Sequence, residues 1–189
     1  YQLLIAHKLA PADFAAFNAL LALFMVVSSP LSTLQMVVTK YCAEFNASSQ
    51  INKVKFLLSG FFKKAMGLAI ATLLVFLIIS GYLMNALKIP SLACGYFLAV
   101  LLSLSCLNPI FLGALQGLEL FGWFAVLSVL ISVLKLILAF IFILLGYNIA
   151  GALGALLCAT LVGLIISYFP LRRFISLRPK EEDIHYRQI

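Results

Sequence analysis

LILAFIFILLGYNIAGALGALLCATLVGLIISYFPL, residues 136–171, is the longest stretch of the chain without a charged side chain. A membrane-spanning helix needs about 20 mostly apolar residues to cross a hydrocarbon core of about 30 Å. These 36 residues exceed one span, and Gly146-Tyr147-Asn148 interrupts them with residues that favour a turn. The stretch therefore predicts two antiparallel membrane helices.

The whole chain has the same apolar character. Hydrophobic residues make up 65% of it and charged residues 10%, and the mean hydropathy is +1.16. Soluble domains contain about 45–50% apolar and about 25% charged residues. A water-soluble fold would have to expose the excess as large apolar patches, which soluble monomers rarely do. We therefore expect lipid to be the solvent.

Uncharged stretches also cover 14–39, 65–87 and 89–118. Ala10-Pro11-Ala12-Asp13 separates two of the predicted helices by a helix breaker and a carboxylate suited to an N-cap. We place spans near 12–45, 57–87, 91–116, 120–145 and 148–171, after a truncated span at 1–9. The prediction is an all-α polytopic bundle of about six transmembrane helices over residues 1–175, followed by a charged cytoplasmic linker at 176–189.

Lysine and arginine alternate between the two sides of this bundle. One side holds Lys40, Lys53, Lys55, Lys63, Lys64, Arg172, Arg173, Arg178 and Lys180, and the other holds only Lys8 and Lys88. Because short cytoplasmic loops carry the excess of basic residues, the first side should be cytoplasmic in a multi-pass protein of the cell membrane. This pattern accounts for the net charge of +7 without a nucleic-acid partner.

The chain carries no enzyme motif. Its two histidines, His7 and His185, lie near the chain ends, and no span contains a pair of carboxylates. Acid–base or metal-assisted catalysis needs such groups gathered in a pocket. The four cysteines, at 42, 94, 106 and 158, stand singly. We expect no enzymatic activity, cofactor or metal site.

Lys135 is the most informative single residue because it interrupts an apolar span. A lysine at the centre of a span costs about 2.5–3.5 kcal/mol on insertion scales, so it should face the protein interior or a wet cavity. Ser128 and Ser132 share its helix face, because Ser132 follows Ser128 by four residues and Lys135 follows Ser132 by three. Two interpretations remain: a cationic contact for an anionic substrate group, or a lysine that pairs with carbonyls or snorkels.

Two prolines mark candidate kinks or hinges. Pro30 lies within a stripe of polar residues at helical spacing, Ser28, Ser32, Gln35 and Thr39. Its missing N–H could be compensated by the neighbouring hydroxyls, so a static bend and a hinge are both open. Pro109 follows Asn108 and predicts a break that either lines a substrate path or is an ordinary kink.

A stripe of small residues, Gly151, Ala155, Ala159 and Gly163, repeats every four positions in the last span. Small residues allow helix backbones to approach closely. We expect a packing seam.

Several segments resemble the polysaccharide and oligosaccharide-lipid flippases of the multidrug/oligosaccharidyl-lipid/polysaccharide exporter superfamily. The most specific is the turn from Gly113 to Trp123, GALQGLELFGW. The others are Ala10-Pro11-Ala12-Asp13-Phe14, where Ala10 replaces the family's usual glycine, Ser29-Pro30-Leu31-Ser32-Thr33, Val38-Thr39-Lys40-Tyr41, Ala43-Glu44, Leu171-Arg172-Arg173 and Pro179-Lys180-Glu181-Glu182.

The resemblance implies a transporter of twelve to fourteen helices in two bundles, working by alternating access. This chain would supply the first bundle, and its cargo would be a glycan linked to a polyprenyl diphosphate. The diphosphate would suit Lys135 first and Lys40 second, with Ser128, Ser132, Gln35 and Ser32 as further cavity candidates and Lys63 and Lys64 at the cytoplasmic rim. Partners would be membrane lipids, glycan-assembly enzymes and the second bundle.

Two alternatives stay open. A cation-coupled multidrug exporter of the same superfamily would need acidic residues deep in the membrane, and this sequence has none there. The other is a membrane scaffold without transport activity, against which symmetry-related internal repeats in the rest of the protein would count.

Overall fold

The computed structural model describes residues 9–87 and 92–172, together with Gln2 and Ile5. From residue 9 onward the described part contains six α-helices and no β-strand: α1 (Pro11–Ala47), α2 (Ile51–Ala86), α3 (Leu92–Ser105), α4 (Asn108–Gly117), α5 (Phe121–Leu144) and α6 (Asn148–Leu171). Because α3 and α4 together form one span, five segments of the described part are long and apolar enough to cross a membrane. The chain is a multi-pass α-helical membrane protein.

Some expectations fall outside these residues. The truncated span at 1–9, apart from Gln2, Ile5 and Leu9, lies outside the described part, and so does the linker at 176–189. The same holds for His7, Lys8, Lys88, Arg173, Arg178, Lys180 and His185. Ile5 and Leu9 are buried in one cluster with Phe17 of α1.

The predicted start of the second long span at residue 57 is wrong, because α2 begins at Ile51. α1 and α2 contain 37 and 36 residues, which makes each about 55 Å long at about 1.5 Å per residue. A hydrocarbon core is only about 30 Å thick. α2 therefore extends beyond the hydrocarbon, and Lys53 and Lys55 near its start lie outside the apolar layer.

The start of α1 also differs from the expectation that Asp13 is an N-cap. Pro11 occupies the start of the helix, which makes Ala10 the N-cap, and no side chain caps it. The fixed φ of proline suits this first position. Asp13 lies in the first turn, where a carboxylate still interacts favourably with the helix dipole.

The span formed by α3 and α4 is the centre of the bundle. α3 packs mainly against α2, α4 packs mainly against α1, and both contact α6, which in turn carries α5. Most of this central span is buried, whereas α2 and α5 expose most of their apolar side chains. Such exposure costs nothing in a bilayer, because lipid tails are as apolar as leucine.

Two buried clusters stabilise the opposite ends of the bundle. At one end, Val38, Val54, Leu115, Leu127 and Leu171 bring together all the spans. We name this the basic end because Lys40, Lys53, Lys55, Lys63, Lys64 and Arg172 flank it. The cluster at the opposite end, the far end, contains Phe17, Met84, Leu98 and Leu153.

Glycines determine how closely the helices approach. A Cβ at Gly117 of α4 would lie 2.6 Å from the Thr39 carbonyl oxygen of α1, and one at Gly163 of α6 would lie 2.5 Å from Cδ1 of Ile131 on α5. Gly151, Ala155, Ala159 and Gly163 are all buried. The predicted packing seam on the last span is therefore confirmed.

Candidate functional site

Aromatic side chains give the depth of each residue in the bilayer. Tyr82 and Tyr147 are exposed at the far end, and Trp123 and Tyr168 are exposed at the basic end. Tyrosine and tryptophan concentrate at membrane–water interfaces. From Tyr147 to Tyr168 is 21 residues, or about 32 Å of helix, which matches the thickness of about 30 Å for the hydrocarbon.

This scale places Lys135 at the centre of the membrane. It lies 12 residues from Trp123 and 12 from Tyr147, about 18 Å of chain at about 1.5 Å per residue in either direction. The residue is half-buried on the α5 face that packs on α6, four residues after Ile131, which contacts Gly163, and four before the buried Ala139. A snorkelling side chain would have to cover much of that distance, so the ammonium group remains deep.

Ser128 and Ser132 are exposed on the same face of α5 as Lys135. The Ser128 hydroxyl donates to the Phe124 carbonyl at 2.9 Å, and the Ser132 hydroxyl donates to the Ser128 carbonyl at 2.8 Å. Both hydroxyl protons are therefore used within the helix, and the oxygens keep lone pairs that can accept hydrogen bonds. The face presents one cation and two acceptors.

The polar residues on α1 have two different environments: some contact another helix and others are exposed. Gln35 and Thr39 face α4, where Nε2 of Gln35 lies 3.2 Å and Oγ1 of Thr39 lies 3.4 Å from Oε1 of Gln116. Thr39 also donates to the Gln35 carbonyl at 2.9 Å. Ser32 and Lys40 are exposed. Gln35, a predicted cavity residue, thus takes part in an interhelical contact.

Gln116 is a site residue that the sequence reasoning missed. It was noticed only as part of the GALQGLELFGW turn. The available signal was a glutamine between Gly113 and Gly117, at the spacing of a helix-packing motif near the end of an apolar span. An amide at such a contact needs a partner on the facing helix, and Gln35 supplies it.

α1 passes through Pro30 without interruption. Proline cannot donate to the Val26 carbonyl, and the Ser29 hydroxyl replaces that bond at 3.0 Å. Ser32 donates to the Ser29 carbonyl at 2.7 Å. Oγ of the half-buried Ser28 is the one buried side-chain oxygen or nitrogen without a partner among the described residues. The role of Pro30 as a hinge stays a prediction.

The predicted break at Asn108-Pro109 is present, since α3 ends at Ser105 and α4 begins at Asn108. Pro109 is buried, and the break is tied to α2 because the Ser103 hydroxyl donates to the Ala69 carbonyl at 2.9 Å. Cys106 Sγ also lies 3.8 Å from Oγ1 of Thr72. The break between α3 and α4 is therefore buried in the bundle and bonded to α2.

The structure does not gather all candidates in one pocket. The stripe around Lys135 lies on α5 and the stripe ending at Lys40 lies on α1, and these helices pack on α4 and α6 without an extensive interface with each other. Lys63 and Lys64 are exposed on α2. An open groove of about 570 Å³ runs along α5, but only apolar residues such as Val129 and Val133 line it.

The described residues contain no group of three or more histidine, cysteine, aspartate or glutamate side chains that could hold a metal ion. The four cysteines are free thiols, three of them buried.

Comparisons with protein-family models, with curated proteins and with solved structures find no match to this chain. The chemistry, depth and packing of the candidate side chains, with the resemblance of the sequence segments, therefore carry any functional conclusion.

Chemically, the α5 face suits an anionic and hydroxyl-bearing ligand. An ammonium group in the low dielectric of a membrane protein attracts an anion about 4 Å away with about 4 kcal/mol at an effective dielectric constant of about 20. The serine oxygens can accept hydrogen bonds from ligand hydroxyls. The face offers no general base, because neither a carboxylate nor a histidine accompanies Lys135 on α5.

Proposed function

We propose that this chain is one helical bundle of a flippase that moves a lipid-linked glycan across the cell membrane by alternating access. The observation that carries the proposal is the position of Lys135, a half-buried cation at the centre of a span that shares its helix face with Ser128 and Ser132. The resemblance of residues 113–123 to the flippase family supports the same function.

In this proposal Lys135 lowers the cost of moving a diphosphate through the hydrocarbon. A bare anion is expelled from a medium of low dielectric constant, and a fixed cation offsets part of that penalty. Ser128 and Ser132 accept hydrogen bonds from the glycan hydroxyls, while the lipid tail of the cargo stays in the bilayer. Alternating access requires a second bundle that closes the other side of the cavity.

The charges at the basic end fit a delivery side for anionic cargo. Lys40, Lys63, Lys64 and Arg172 are exposed there, and basic residues raise the local concentration of anions. Under the positive-inside rule this end is cytoplasmic, where glycan-assembly enzymes would supply the cargo.

The multidrug-exporter alternative fits the described helices less well. Asp13 lies in the first turn of α1, Glu44 lies near its end, and Glu119 lies in the turn between α4 and α5. None of these carboxylates lies near the centre of a span, where a proton or sodium ion would be coupled to export.

A vesicle assay separates the two functions. The full-length protein is reconstituted and tested with a fluorescent short-chain polyprenyl-diphosphate sugar and, in parallel, with a cationic dye. We expect transbilayer movement of the diphosphate lipid and no gradient-driven accumulation of the dye. Accumulation of the dye without movement of the lipid would identify a cation exporter, and movement of neither would favour a scaffold.

A further inference from the structure

Lys63 and Lys64 lie on the surface of α2 that faces away from the bundle. The buried residues of this helix, Val54, Leu58, Ala65 and Ala69, define its inner side. Lys64 shares the opposite side with Ile78, fourteen residues later, which is close to four helical turns. Ile78 is 81% exposed. The lysine pair thus continues a face that meets lipid.

The depth of the pair matches the lipid phosphates. From Lys64 to Tyr82 is 18 residues, or about 27 Å of helix, and Tyr82 is 80% exposed at the far end. Tyr82 therefore lies at one boundary of the hydrocarbon and Lys64 at the other. Lysine stems extend along apolar surface and place the ammonium groups at the headgroup level.

Among the described residues no ion pair joins Lys63 or Lys64 to a carboxylate. The described carboxylates of the basic end, Glu44 and Glu119, belong to the end of α1 and the turn before α5. Two adjacent ammonium groups at a hydrocarbon boundary repel each other and need counter-charges. Anionic headgroups in the same plane supply them.

We propose that Lys63 and Lys64 bind the headgroups of anionic phospholipids in the leaflet at the basic end, while the acyl chains lie on the outer face of α2. This inference does not depend on the proposed function. It assigns to the two lysines a bound lipid in addition to the general attraction of anions to the basic end, because they continue the lipid-facing side of the helix.

Gly67 provides a place for a reporter beside the pair. Gly67 is exposed, and a Cβ added there meets no atom within 4 Å, so we choose it for a tryptophan reporter. Trp123 is the single tryptophan of the chain, and a Trp123→Phe/Gly67→Trp protein reports from one position. The full chain is reconstituted in phosphatidylcholine vesicles that contain either brominated phosphatidylglycerol or brominated phosphatidylcholine, and quenching is compared.

A lysine near the surface contributes about 1 kcal/mol of attraction to anionic lipid, about fivefold in binding. We expect quenching to show binding of phosphatidylglycerol about fivefold or more stronger than binding of phosphatidylcholine. In the Lys63→Gln/Lys64→Gln variant this ratio should fall close to one. The matched control, Lys53→Gln/Lys55→Gln, removes the same charge about 15 Å farther along the helix, beyond the Debye length of about 8–10 Å, and should keep the preference.

Three results would overturn the proposal. The first is the absence of any lipid preference in the parent protein, and the second is a preference that survives Lys63→Gln/Lys64→Gln. The third is an equal loss in both double variants, which would indicate a diffuse surface potential. The assay measures no transport, so any of these results leaves the flippase proposal to its own test.

Discussion

The side-chain amide of Gln35 on α1 donates a hydrogen bond to Oε1 of Gln116 on α4, with 3.2 Å between nitrogen and oxygen. The two residues are 81 positions apart. Their contact lies beside Gly113 and Gly117, where a Cβ would lie 2.8 Å and 2.6 Å from the carbonyl oxygens of Gln35 and Thr39 on α1. The bond therefore fixes the register of the two helices.

Removal of one amide should cost more stability than removal of both. Gln116→Leu leaves the Gln35 amide without its partner, and interhelical hydrogen bonds in membranes contribute about 0.6 kcal/mol on average and up to about 1.7. We expect Gln116→Leu to lower unfolding stability by about 1 kcal/mol and Gln35→Leu/Gln116→Leu to recover part of it. Reversible unfolding in mixed micelles measures both, and strictly additive losses would contradict the contact.

The close approach at Gly117 predicts a large effect from a single methyl group. Gly117→Ala places a Cβ 2.6 Å from both the Thr39 carbonyl oxygen and Cβ of Cys42, and backbone atoms cannot move aside cheaply. We expect a loss of about 1–3 kcal/mol, as for other overpacked sites. Gly67→Ala is the matched control, because its Cβ meets open space, and it should be neutral or stabilising by up to about 1 kcal/mol. Equal melting temperatures for the two variants would contradict the packing.

The compensation at Pro30 can be tested with a second pair of variants. Ser29→Ala leaves the Val26 carbonyl unpaired next to lipid and should cost about 1–2 kcal/mol. Pro30→Ala restores the N–H that bonds this carbonyl, so Ser29→Ala should have almost no effect in a Pro30→Ala protein. Unfolding in micelles gives both values. The same cost of Ser29→Ala in either background would show that the hydroxyl does not replace the missing bond.

The sequence predicted most of the helices because each hydrocarbon crossing demands an uncharged stretch, and α5 and α6 match the predicted spans to within one residue at each end. The predicted start of α2 was wrong, because charged residues indicate where the chain leaves the hydrocarbon and not where the helix ends. The sequence did not predict the contact between Gln35 and Gln116. Periodicity shows on which face of its helix a residue lies but not which other helix packs against that face. The same limit applies to Lys135, whose depth was predictable and whose neighbours were not.

The orientation of the bundle is a separate prediction. Gln50→Cys reports on the turn between α1 and α2 at the basic end, and Asn85→Cys reports on the far end of α2; both native side chains are exposed. If the basic end is cytoplasmic, an impermeant maleimide added to intact cells should label Asn85→Cys only, and permeabilised cells should show both. The parent protein is the control because three of its four cysteines are buried. Labelling of Gln50→Cys alone in intact cells would reverse the orientation.

The most direct test of the central claim is the rate at which reconstituted protein moves a fluorescent polyprenyl-diphosphate sugar when Lys135 is replaced. Lys135→Met keeps the length of the side chain and removes the charge, and Lys135→Arg keeps the charge. We predict that Lys135→Met slows translocation by about tenfold or more, equivalent to at least about 1.4 kcal/mol in the barrier, while Lys135→Arg retains most of the rate. Equal translocation by Lys135→Met and the parent protein, at equal amounts of folded protein, would contradict the claim.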